Sequence, residues 1–139
     1  MRTITAALVA RITSDAATMA LASGPWLDVA PAPEQSPRPV ITYALRTSPL
    51  DEDMGCGTVL RRFSYLVAVE GEQDDVATVR AAAAAVEDRL HGQTGWATAS
   101  GWGVSRCVFT DVIERAYIEG DYRAVAIIGT LEIVAQRLS

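Results

Sequence analysis

The sequence predicts an α+β fold: an antiparallel β-sheet flanked by two main α-helices, in the order α-β-β-β-α-β-β. Three observations carry this expectation. Ile4, Leu8, Ile12, Ala16 and Met19 recur at helical spacing, and so do Val76, Val79, Ala83, Val86 and Leu90. Val59, Phe63, Tyr65, Val67 and Val69 share one phase of a period-two pattern, as the inward face of a strand requires. Two stretches rich in β-branched residues, 104–117 and 122–136, flank Glu119-Gly120-Asp121, a natural hairpin turn.

Taken in order, the first helix has Thr3 available as its N-cap and Ser23-Gly24-Pro25 as its stop. A brief strand is expected over 26–29. Residues 30–39 follow with Pro31, Pro33, Pro37 and Pro39, which withhold backbone donors from helix and sheet alike, so this stretch reads as an extended connector. The β-branched and aromatic content of residues 40–47 marks a strand ending at Ser48-Pro49, and residues 50–57 read as an acidic, glycine-containing loop. The strand over 58–70 is interrupted near its start by Arg61, which is expected to take that end out of the core. Gly71 breaks it. Asp74 and Asp75 suit the positive end of the next helix dipole, Arg89 and His91 the negative end, and the alanines between them give a slim helix able to pack closely on a sheet. Residues 92–103 form a Gly/Thr/Ser-rich connection carrying Trp96 and Trp102. In the last strand Val125, Ile127, Leu131 and Ile133 take one face, with Thr130, Glu132 and Gln136 on the other. No repeat is present, and residues 1–139 read as one domain.

Composition narrows the function classes. The chain has 139 residues, 50% hydrophobic and 21% charged, with a formal net charge of −5, so it lacks the surplus of cations that phosphate neutralisation on nucleic acid demands. All 12 cationic residues are arginine; bidentate pairing at interfaces and a GC-rich coding sequence both account for that choice. Cys56 and Cys107 lie far apart without Cys-x-x-Cys spacing, which reads as two reduced thiols in a protein made in a cytoplasm. Arg11 and Asp15 break the apolar N-terminal run that a secretion signal needs, and the apolar run 124–131 is too short to cross a bilayer.

Catalytic groupings are hard to assemble. The one histidine, His91, sits where a helix C-terminus favours a cation, with nothing nearby to make it a base for a nucleophile. Asp51, Glu52 and Asp53 lack the ligand spacing and closing glutamate of a calcium loop. Gly55-Cys56-Gly57 and Gly101-x-Gly103 lack the residues that complete a phosphate-binding fingerprint. No cofactor or metal is expected. Trp96 and Trp102 fit a covered sheet edge or a subunit interface better than a base-stacking platform. The long strands say more. Strands of about 12 or more residues exceed the usual 5 or 6, so part of each is expected to run beyond the core and offer a binding edge.

The N-terminal helix beginning Ile4-Thr5-Ala6-Ala7-Leu8, the connector ending Pro37-Arg38-Pro39-Val40-Ile41, the strand from Phe63 to Val69, the helix from Val76 to Leu90 and the closing Asp121-Tyr122-Arg123-Ala124-Val125 follow one another in an order spanning nearly the whole chain. In that order and pattern the chain resembles the tail terminators of long-tailed, siphovirus-like bacteriophages and related gene-transfer particles. The resemblance implies an α+β subunit, six copies of which form a ring capping the tail tube at its head-proximal end. Its implied partners are further copies of itself, the tail tube protein and a head-completion or stopper protein of the neck. It brings no catalytic residues. It also implies a virion protein of the tail and neck, made in the host bacterial cytoplasm, with DNA passing through the lumen without sequence-specific binding and no membrane involved. Six copies at −5 each would carry about −30, which suits a channel from which DNA is repelled. Asp51, Glu52, Asp53 and Met54 are the candidates for contact with the tube, and Glu119, Gly120 and Asp121 for the opposite contact. Another head-completion or minor tail protein of the same particle fits the same pattern. So does a ferredoxin-like ligand-binding domain, which would form a dimer or tetramer rather than a six-fold ring.

Overall fold

Ile4, Leu8 and Ile12 are buried along one face of α1 (Arg2–Thr13), as their spacing requires. The computed structural model describes residues 2–27, 38–53, 59–96 and 101–137. The single helix expected through Met19 is in fact two. The Ser14 hydroxyl donates to the Arg11 carbonyl and Asp15 is extended (φ −90°, ψ 106°), so the chain restarts as α2 (Ala16–Leu21). Short polar side chains that bond the nearby backbone offer it this alternative to a continuous helix. Ala16 is therefore exposed, and Thr18 is buried instead, its hydroxyl donating to the Asp15 carboxylate. Thr3 lies inside α1 and does not cap it.

The stop at Ser23-Gly24-Pro25 holds, but these residues also open β1 (Ser23–Leu27), earlier than the expected 26–29. β1 pairs in parallel with β2 (Val40–Asp53), so the sheet is mixed and not antiparallel throughout. The chain permits this because residues 28–39 supply the crossover of about a dozen residues that a parallel pair needs. Gly24 has φ +112°, and a Cβ there would lie 2.6 Å from the Ile41 carbonyl oxygen, so only glycine lets β1 approach β2. Within the connector, residues 30–37 lie outside the described residues.

β3 (Val59–Glu72) leads through a tight turn into α3 (Val76–Leu90), and the chain closes with β4 (Trp102–Glu119) and β5 (Tyr122–Arg137). The strand order is β1-β2-β3-β5-β4, with every pair after the first antiparallel. The helices stand before the strands and between β3 and β4, giving α-α-β-β-β-α-β-β in place of the predicted order.

Phe63, Tyr65, Val67 and Val69 are buried, and with Ile41, Leu131 and Ile133 they form the sheet side of the core. The helices supply Leu8, Ile12, Val79, Val86 and Leu90 to that same face. On α3 it is Ala82 that is fully buried, with Ala83 packed beside it. Where the strand passes beneath α3, a Cβ on Gly71 would meet the Val79 methyl at 2.7 Å. This close approach is the packing that the slim alanine-rich helix promised. Arg61 shares the inward face and its guanidinium lies 4.5 Å from the centre of the Trp102 ring, while Arg137 stands 5.5 Å from it. Cation–π stacking thus accommodates the charge that interrupts the apolar pattern.

Candidate functional site

The two sheet edges are the features from which a function can be built. At the β4 edge, the segment after α3 folds back along the strand. The Gly92 N–H donates to the Cys107 carbonyl, the Gly95 N–H to the Val104 carbonyl, and the Val104 N–H to the Trp96 carbonyl. The Phe109 N–H donates to His91 Nδ1 at 2.9 Å, so in this contact Nδ1 carries no proton and the ring acts as an acceptor at the sheet edge. The His91 N–H also continues α3 by donating to the Glu87 carbonyl. Trp96 packs against the core under Arg11, whose guanidinium lies 5.6 Å from the ring centre. Trp96 therefore helps cover the edge, while Trp102, the first residue of β4, is buried in the core.

This cover ends near Phe109. At Asp111, which has φ +52°, the register between β4 and β5 slips, and from there to Glu119 every residue except Tyr117 is exposed. Residues 111–119 form an arm supported on one side by β5, and no described residue bonds to the backbone on its other side. Val112, Ile113 and Ile118 are exposed on it, Ile118 at 68%. The expectation that part of a long strand outruns the core is met here.

The opposite edge is open in a complementary place. β1 pairs with β2 only as far as Tyr43, and among the described residues nothing pairs with the outer side of β2 beyond it. Val40 lies level with Glu70, Ala126 and Arg115, whereas Glu52 lies level with Leu60, Gln136 and Gly103. The two open stretches therefore occupy diagonally opposite corners of the sheet.

Beside the open part of β2 is a groove of about 880 Å³ between α1 and the sheet. Ala6, Val9 and Thr13 line its helix wall, and Leu27, Tyr43 and Leu45 its strand wall. Thr5 Oγ1 and Tyr65 Oη share a 2.8 Å hydrogen bond at its floor, and burial pushes the Tyr65 hydroxyl above its ordinary pKa. Sequence reading missed this groove. The available signal was the second face of α1, where Ala6, Val9 and Thr13 are small or apolar without being needed for the core stripe.

Of the seven residues singled out from sequence, Asp51, Glu52 and Asp53 are not in a loop. They continue β2, with Asp51 in register with Arg61, Glu52 with Leu60 and Asp53 with Val59. The strand survives Pro49 because the register slips between Thr47 and Leu50, an irregularity that tolerates a residue without an N–H. Met54 lies outside the described residues. Glu119 ends β4, and Gly120 (φ +61°) and Asp121 form the exposed turn to Tyr122, as expected. The two acidic groups are not brought together. They sit at opposite ends of the sheet, separated by the length of β3, roughly 40 Å at the rise of a strand.

Little else offers chemistry. Among the described residues no group of three or more His, Cys, Asp or Glu side chains could hold a metal. Burial pushes the Cys107 thiol up to about 12, so at neutral pH it is a core residue and not a nucleophile. Glu70 is raised by burial and by the Glu119 charge. No helix among the described residues is long and apolar enough to cross a membrane.

No protein-family model matches the sequence, and no curated protein matches it. Among solved structures, a chain from the virion of a native gene transfer agent particle superposes with a TM-score of 0.63 at 20% identity, covering 96% of this chain and 96% of that one. At that identity the likeness is one of fold, and it spans nearly all of both chains.

Proposed function

We propose that this chain is a structural subunit of a phage-like particle, a tail terminator that assembles as a ring, caps the tail tube at its head-proximal end and joins it to the neck. The observation that carries this reading is the end-to-end superposition on a chain of a gene transfer agent virion. The open edges support it, since a monomer blunts or covers such edges while an assembling subunit keeps them free. In this role the protein works by position and not by catalysis. The acidic groups at the two ends of the sheet suit contacts above and below the ring, the 51–53 end toward the tube and the 119–121 turn toward the neck. The net negative charge suits a channel through which DNA moves without sticking. Electron microscopy of particles from a producing strain lacking this gene tests the proposal. Separate heads and tails are expected, and particles of normal appearance and infectivity or transfer activity would overturn it.

A further inference from the structure

The geometry points to a specific contact between copies, resting on the ring reading above: the β4 arm of one subunit adds as an antiparallel strand to the open edge of β2 in the next, with Ile118 entering the groove beneath α1. Four observations converge on this pairing. First, β4 and β2 run in opposite directions within the sheet, since three antiparallel steps separate them, so two copies side by side in the same orientation present antiparallel edges. Second, 113–119 beyond the slip at Asp111 and 44–48 before Pro49, where the β2–β3 register shifts between Leu45 and Thr47, are the parts of the two edges that no described residue covers.

Third, the faces agree. Ala116 is in register with Val125 on the helix side of the sheet, so Ile118, two residues further on, faces that side as well. Leu45 is in register with Tyr65, also on the helix side, and lines the groove. A shared sheet keeps its faces across the junction, and Ile118, the most exposed large apolar side chain among the described residues, then falls beside Leu45 and Tyr43. Fourth, charge fits. With Ile118 opposite Leu45, Tyr117 and Glu119 flank that position and lie close to the exposed Arg46, at the irregularity between Leu45 and Thr47. Cross-strand and diagonal neighbours at these spacings interact.

The contact uses different surfaces on the two partners, so it propagates head to tail and closes as a ring when the rotation permits. Because the open stretches lie at diagonal corners, each copy is displaced along the strands relative to the last. A ring can absorb that displacement only if its strands tilt against the ring axis, as they do in closed barrels.

Cysteine cross-linking of the full-length protein tests the pairing, on a Cys56→Ser background that retains the buried Cys107. The double variant Leu45→Cys/Ile118→Cys, oxidised after mixing with tail-tube protein, should give a ladder of covalent multimers, while either single variant should give none. Covalent dimers from Ile118→Cys alone would show arm-to-arm pairing and overturn the proposal. Assembled rings without the ladder would overturn the pairing while leaving the ring reading intact, and the absence of any assembly would overturn both. As a second measure, Ile118→Asp should weaken association about tenfold or more at unchanged melting temperature, because it places a charge where an isoleucine would be buried. Unaltered association would likewise refute the contact.

Discussion

Arg80 holds Glu114 through two parallel hydrogen bonds, Nε to Oε1 at 2.7 Å and Nη2 to Oε2 at 2.9 Å, and this pair ties the middle of the exposed β4 arm to helix α3. Both side chains face solvent, so the pair contributes little to global stability; its effect is on where the arm lies. Arg80→Ala should leave the melting temperature within a few degrees of the parent while speeding amide hydrogen exchange across residues 111–119. Exchange in the core strands should not change. The hydrogen bond from Arg80 lowers the Glu114 pKa below its ordinary 4.5, so the tether is fully present above that value and is lost as pH falls through the lowered one. Protection of the arm should accordingly persist from neutral pH down to about 4.5 and fade below it. Equal protection in the parent and Arg80→Ala at pH 7 would remove the tether from the account.

At the alkaline end the core carries two groups whose acidity burial suppresses. Cys107 is pushed from 9.0 up to about 12, and Tyr65 is raised above 10.0. Each is neutral in the fold and ionises more readily once unfolded, so stability is intact below the ordinary values and declines as pH rises through the raised ones. Chemical denaturation from pH 8 to 11 should show a falling midpoint, with a shallower fall in Cys107→Ala and in Tyr65→Phe. At pH 7, Tyr65→Phe should cost about 1 kcal/mol through loss of the bond to Thr5, a drop of a few degrees in melting temperature.

Gly24→Ala should be far more damaging than a surface substitution. It would force a side chain into φ +112° and set its Cβ 2.6 Å from the Ile41 carbonyl oxygen. A loss of roughly 2–4 kcal/mol is expected from combined backbone strain and overpacking. A denaturation midpoint equal to the parent's would contradict the close approach of β1 to β2.

Replacing Asp51, Glu52 and Asp53 together with alanine should leave the fold intact but impair joining of tails, checked by circular dichroism and by counting complete particles. Undiminished particle assembly would remove this end of β2 from the partner contacts.

Sequence patterns exposed the elements whose signal is local. The alternation from Phe63 to Val69 located β3, the dipole-matched ends located α3 at its observed limits, and Glu119-Gly120-Asp121 located the last hairpin. The break at Ser14-Asp15 was hidden because the apolar spacing runs through it, while the break arises from side-chain bonds to the backbone. The acidic run at 51–53 read as loop by composition, yet it is carried as strand by its pairing with β3, a partner six to ten residues away. The open edges and the groove were illegible for a different reason. They depend on strand order, on β1 being parallel and short, and on the 91–96 segment covering only half of β4, none of which leaves a periodic trace in the chain.

The most direct test of the account is the mass of the purified full-length protein by light scattering with negative-stain imaging, alone and with tail-tube protein from its own gene neighbourhood. A six-fold ring, in solution or formed only on tube ends, is the expected result; a stable dimer indifferent to tubes would contradict the account and favour a ligand-binding domain.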